Sequence, residues 1–244
     1  MPHSFTRSVL TTTFSLCIAA ISTATHASQI ADSVADFSGI QGQGGWYYGY
    51  YNDPFNQSGF LPMATFSPLS LPDTWVVDFD APAPQYWTLL NALGGHPNGR
   101  ITTGGRNPVE QWAVRRWVSN TSGMINISGN IADLNPFGGN GIVGHIFLNG
   151  TEFYNTPIAN GDSIGATYSI AANVVIGSAI DFAIDPKSSD DASDLTRFTV
   201  TISAVPEPST ALLLLFGVFI PLASRTTTLF SQRFGQRPTL GSDA

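Results

Sequence analysis

Cysteine is almost absent from the chain, and the single one, Cys17, lies in an N-terminal apolar stretch. Residues 28–204 therefore offer no disulfide, no thiolate metal ligand and no thiol nucleophile. Charge is scarce as well, at 11% of residues, and lysine occurs once, as Lys187. Residues 28–204 hold fifteen of the seventeen acids but only six of the ten bases, a net charge of −9. Nucleic-acid backbones demand clustered Lys and Arg, so this balance argues against such a partner. Helical periodicity is also lacking, surfacing only weakly in residues 85–93.

What remains is alternation. Ile125, Ile127 and Ile131 share one face of their segment, with Asn126, Ser128 and Asn130 on the other. Phe198, Val200 and Ile202 alternate with Thr199, Thr201 and Ser203. Ile180, Phe182 and Ile184 alternate with Asp181 and Asp185, and Trp75, Val77 and Phe79 with Val76, Asp78 and Asp80. Period two over several runs predicts half-buried antiparallel strands. Asn149-Gly150 between two apolar runs predicts a type I′ hairpin. About ten strands with Gly and Pro turns imply an all-β antiparallel sandwich, of the jelly-roll kind.

The two ends carry different signals. Arg7 followed by the uncharged residues 9–21 and then small residues reads as a signal peptide over 1–27, with cleavage expected between Ala27 and Ser28. At the other end, Val205-Pro206-Glu207-Pro208-Ser209 precedes residues 210–224, which carry no charge. That run predicts a short transmembrane helix, with Arg225, Arg233 and Arg237 in a weakly basic tail over 225–244. Residues 28–204 between them form one domain-sized block.

The triple of Val205 to Ser209, apolar run and Arg225 resembles the PEP-CTERM sorting signal of exported bacterial proteins. Residues 112–186 resemble, more loosely, the jelly-roll ectodomains that accompany such tails. The resemblance implies an exosortase-type processing protease as partner and a transient stay in the inner membrane. Delivery to the cell surface or the exopolysaccharide matrix would follow. The tail departs from the family pattern in its thinned Arg cluster and in the length that follows it.

Catalytic-looking strings fail on context. Gly139-Asn140-Gly141-Ile142-Val143-Gly144 fits a dinucleotide fingerprint but runs into a strand, where that motif needs a helix N-terminus. Gly161-Asp162-Ser163-Ile164-Gly165 fits a hydrolase elbow, yet the last histidine, His145, precedes the serine instead of following it. Asp78 and Asp80, on one strand face, leave a glycan-hydrolase reading open.

Two clusters invite a binding role. Asp185, Asp190, Asp191 and Asp194 crowd one loop, readable as solvated charge or as an oxygen cage for calcium. Trp46, Tyr48 and Tyr50 share one face of an aromatic run with Tyr47 and Tyr51 on the other, suited to core packing or to stacking on sugars. The expectation is an exported, non-enzymatic, structural or adhesive surface protein needing no cofactor. The alternative is a carbohydrate-binding module that engages exopolysaccharide.

Overall fold

The computed structural model describes residues 27–52, 59–79, 84–101 and 105–206. Glu207 to Ser209, the apolar run, the tail and nearly all of the expected signal peptide lie outside them, as does Asp80. No helix among the described residues is long and apolar enough to cross a membrane.

The chain forms strands β1 (Gln29–Asp32), β2 (Trp46–Tyr51), β3 (Leu61–Pro62), β4 (Thr65–Phe66), β5 (Trp75–Val76), β6 (Leu89–Leu90) and β7 (Gly94–His96). There follow β8 (Trp112–Val118), β9 (Gly123–Asp133), β10 (Ile142–Leu148), β11 (Thr151–Ile158), β12 (Ala166–Val174), β13 (Ala179–Asp185) and β14 (Thr196–Ala204). They make two antiparallel sheets. In one, β1 and β9 flank β14, with β12 beyond β9; in the other the order is β8, β13, β10, β11. Successive strands from β8 to β14 cross from sheet to sheet, except for the β10–β11 hairpin. That is the jelly-roll arrangement of eight strands. Short β4 to β7 extend the first sheet past β14, and β2 and β3 extend the second past β8.

Burial explains the alternation. Ile125, Ile127, Ile131, Phe182, Ile184, Phe198, Val200 and Ile202 meet in one core between the sheets. Trp46 and Tyr48 belong to that core at 0% exposure. Tyr48 stacks on Trp75 at 5.7 Å and takes the edge of Phe37 at 5.0 Å. The Trp75 indole donates to Ser38 O at 2.9 Å, so its one polar atom is satisfied in the interior. Asn149 and Gly150 take φ of 51° and 80°, the paired positive angles of a type I′ turn.

Two local patterns resolve differently from their periodicity. Residues 85–93 form no helix: Leu89–Leu90 pair as β6 between β5 and β7, because their buried side chains are recruited by the sheet. Among the described residues 75–79, the alternation survives only as the two-residue β5, with Trp75 and Val76 both buried.

Antiparallel crossing places the 134–141, 159–165 and 186–195 loops at one end of the sandwich, with the long connection from β7 to β8 beside them. This end carries the polar machinery.

Candidate functional site

A cleft of about 570 Å³ opens at this end, lined among others by Trp87, Asn91, His96, Arg106, Asn135 and Asp191. Its floor is rigid. Arg106 grips Asp191 with two parallel bonds, Nη1 to Oδ2 at 2.5 Å and Nη2 to Oδ1 at 3.1 Å. Their side chains are only 8% and 1% exposed, so the pair is held away from water, where loss of either partner is costly. Arg106 Nη1 also donates to Asn98 Oδ1 at 3.1 Å, and the Trp87 amide donates to the same oxygen at 3.0 Å. Asn98 is itself fixed through Nδ2, which donates to Val109 O at 2.6 Å. One buried amide thus sets the positions of both the guanidinium and the indole.

Trp87 forms the wall. It is 37% exposed, and the Arg106 guanidinium lies 5.5 Å over its ring. Phe79 meets it edge-on at 5.6 Å and His96 lies 5.7 Å away. Burial pushes the His96 pKa down, against the pull of the Pro97 carbonyl, so the ring is neutral at pH 7. Nδ1–H donates to Pro97 O at 2.6 Å, which leaves Nε2 as an acceptor. The arrangement offers a flat apolar face beside fixed donors and acceptors.

Of the two readings open for each cluster, the aromatic run takes core packing over a sugar platform, and the acidic loop does not form a four-carboxylate cage. Trp46 and Tyr48 have no solvent-facing surface, and Tyr50 is half-buried against the same core. They sit between the sheets because β2 is an inner strand, paired to β8 on one side and β3 on the other. The four acids diverge. Asp185, at the end of β13, faces His145 Nε2 at 3.4 Å. Asp190 accepts the Ala192 amide at 3.2 Å, and Asp191 belongs to Arg106. Asp194 turns fully inward, and its carboxyl takes no hydrogen bond from a described residue. No three His, Cys, Asp or Glu side chains among the described residues converge on a common metal position.

Asp194 does not act as solvated charge. It is 0% exposed, and burial, followed by the charges of Asp133, Asp191, Asp190 and Asp185, pushes its pKa up to about 9. Asp133, also at 0% exposure, is raised for the same first reason, partly offset by the Asn135 and Gly161 amides.

On the outer face of the second sheet, Asp181 accepts from Tyr51 Oη at 2.6 Å and from Arg116 Nε and Nη2 at 2.6 and 2.7 Å. Phe60 covers the Arg116 guanidinium at 4.1 Å. Sequence reasoning missed the cleft residues Trp87, Asn98 and Arg106. Their only local signal is the density of Asn, Gly and Pro around an isolated Trp and Arg.

No family model matches the chain, and no curated protein matches it. Among solved structures, it is similar to a family 35 carbohydrate-binding module from Paenibacillus barcinonensis. The identity is 15%, covering 55% of this chain and 90% of that one, at a TM-score of 0.27. A C-terminal CBM6 of LamC, a marine laminarinase from Zobellia galactanivorans, is 17% identical over 46% of this chain and 77% of that one, with a TM-score of 0.28. A ruminal GH26 endo-β-1,4-mannanase is 13% identical over 40% of this chain, which spans 19% of it, at a TM-score of 0.26. At these TM-scores the likenesses carry no functional argument, and function has to be read from the cleft.

Proposed function

We propose that the domain binds glycan in the Trp87 cleft and does no chemistry on it. The observation that carries this reading is the exposed indole of Trp87 set beside the immobilised Arg106–Asp191 pair. Sugar rings present C–H faces that lie flat on an aromatic ring, and hydroxyls that bond planar polar groups. A cleft with an aromatic wall and a few convergent polar atoms is the ordinary form of such a binding site. Preorganisation favours affinity here, since neither Trp87 nor Arg106 must give up much freedom on binding. The resemblance of Val205 to Ser209 and the following run to a sorting signal supports display of this cleft at the cell surface, with exopolysaccharide as the ligand class.

Trp87→Ala is the test. The variant should lose binding to exopolysaccharide in a pull-down or by calorimetry, while keeping a cooperative melt. Trp46→Ala should do the reverse, losing roughly 3–5 kcal/mol of stability as a fully buried ring is deleted. Undiminished glycan affinity in a folded Trp87→Ala variant would refute the assignment. Separately, alanines at Pro206, Glu207 and Pro208 should leave an uncleaved membrane-associated form in cells. Unchanged processing there would remove the surface-display reading and leave the cleft untouched.

A further inference from the structure

Beside the cleft, three loops and the end of β9 bury oxygen atoms that no hydrogen bond from a described residue satisfies. Both carboxylate oxygens of Asp194, Oδ2 of Asp133, Oδ1 of Asn140 and Oδ1 of Asn160 are shielded from solvent and lack any hydrogen-bond donor. Buried acceptors are almost always paired, and an orphan costs on the order of 1–3 kcal/mol, more for a charged group. Five of one chemical kind in one region call for a common cause.

The loops carrying them meet at one place. A Cβ on Gly139 would run into Ala192 O and stand 3.2 Å from Asn160 Oδ1, so these three loops touch at that glycine. Gly139 has φ of 85°, and only a residue without a side chain lets the Ala192 backbone and Asn160 approach this closely. Gly141 packs equally closely, its Cβ position lying 2.7 Å from the Asn160 amide nitrogen. The Asp133 amide donates to Asp162 O at 3.1 Å, and the Gly161 amide acts on its carboxylate, bringing the end of β9 beside Asn160. After burial, the strongest influence raising Asp194's pKa is the charge of Asp133, so the two carboxylates face each other's field.

The amide groups are turned in a telling direction. Asn140 donates Nδ2 to Lys187 O at 2.8 Å, and Asn160 donates Nδ2 to Pro136 O at 3.4 Å. Each spends its donor on a loop carbonyl and leaves its oxygen inward. Lys187, which could have neutralised the acids, instead bonds Asn140 O at 3.0 Å. The remaining oxygen of Asp133, Oδ1, is satisfied by the Asn135 amide at 3.0 Å.

We infer that Asp133, Asn140, Asn160 and Asp194 form a calcium site that ties the 134–141, 159–165 and 186–195 loops together. The donor set is all oxygen, with two carboxylates to balance a divalent charge and two amide carbonyls. It comes from irregular loops, which suits the larger, flexible coordination of Ca²⁺ better than the strict octahedron of Mg²⁺. The site differs from a cage made by Asp185, Asp190 and Asp191, whose carboxylates are committed elsewhere. It stands independently of the glycan reading, although Asn135 and Ser193 carry its loops into the cleft wall.

Thermal melts of the EDTA-stripped, purified protein with added CaCl₂ test the inference. The midpoint should climb with calcium concentration, as linkage requires of a ligand that binds only the folded state. Asp194→Asn should abolish that climb while melting no lower than wild type in EDTA, because it exchanges a buried carboxyl without hydrogen-bond partners for a neutral amide of the same size. Asn160→Ala, at a half-buried position, provides a second variant should Asp194→Asn fail to fold, and should also lose the response. Asp190→Asn should retain it. A wild-type midpoint that is the same in calcium and in EDTA would overturn the proposal. So would a calcium response that survives Asp194→Asn or Asn160→Ala.

Discussion

Exchanging Asp181 for asparagine removes one charge and almost no volume from a side chain that is 1% exposed. The carboxylate takes three donors, two from Arg116 and one from Tyr51, all at 2.6–2.7 Å. Asparagine offers one acceptor oxygen and turns an NH₂ toward the remaining donors, so at least one bond becomes a donor–donor contact. Breaking a buried ion pair from one side costs about 3–5 kcal/mol. The Arg116 side chain retains 24% exposure and can recover some hydration, which places the expected loss near the lower end, about 3 kcal/mol. Urea unfolding followed by tryptophan fluorescence reads this as a lower midpoint at unchanged slope. Tyr51→Phe removes one bond to a charged acceptor and should cost about 1.5–3 kcal/mol. Because both act on one carboxylate, the double variant should cost less than the sum. A loss below about 1 kcal/mol for Asp181→Asn, or strict additivity with Tyr51→Phe, would refute the view that these groups act as one buried unit.

Two further outcomes test other parts of the fold. His145 lies between Trp112 and Phe147, at 4.6 and 5.8 Å. Burial opposes its charge, but hydrogen bonds with Asp185 and Glu152 outweigh burial and raise its pKa. Its stabilisation is therefore complete below about pH 6.5 and fades as pH rises through the higher folded value. The urea midpoint should fall over that interval, and His145→Gln should flatten the decline; an equal slope in both proteins would contradict the assignment. Gly150→Ala should cost about 1–2 kcal/mol, measured by the same unfolding curve. A Cβ there would meet no atom within 4 Å, so any cost reflects the positive φ alone, and a neutral result would count against the type I′ turn.

The strands were legible because each long one has a buried face and a more polar face, as in β9 and β14. The Asn149-Gly150 turn was legible because its two angles demand those residue types. Asp181 misled: period two places it correctly on the outer face of β13, but Phe60 and Tyr51 cover that face, and a strand cannot announce what folds over it. The 85–93 stretch gave only a weak signal because two buried leucines fit a helix or a short strand equally well. Least legible were the partnerships across sequence. Arg106 and Asp191 are 85 residues apart, and Asp133 meets Asp194 only because jelly-roll crossing returns their loops to one end. The acidic loop was visible as composition, while its division into one ion pair, one histidine partner and one inward carboxylate needed the topology.

The pairing of β1 with β14 also decides how the domain hangs from its chain. The Ala204 amide bonds Ser28 O at 2.8 Å, so the polypeptide enters and leaves the sandwich side by side. Eight residues earlier β14 starts at Thr196, next to Leu195 in the cleft wall. At about 3.3 Å per residue the strand separates exit from cleft by roughly 26 Å. The chain therefore leaves the sandwich at the pole opposite the cleft. A load applied at Pro206 runs lengthwise down β14, which β9 brackets on one edge and β1 on the other. Such a pull shears many strand bonds together, where a peeling force would open them singly.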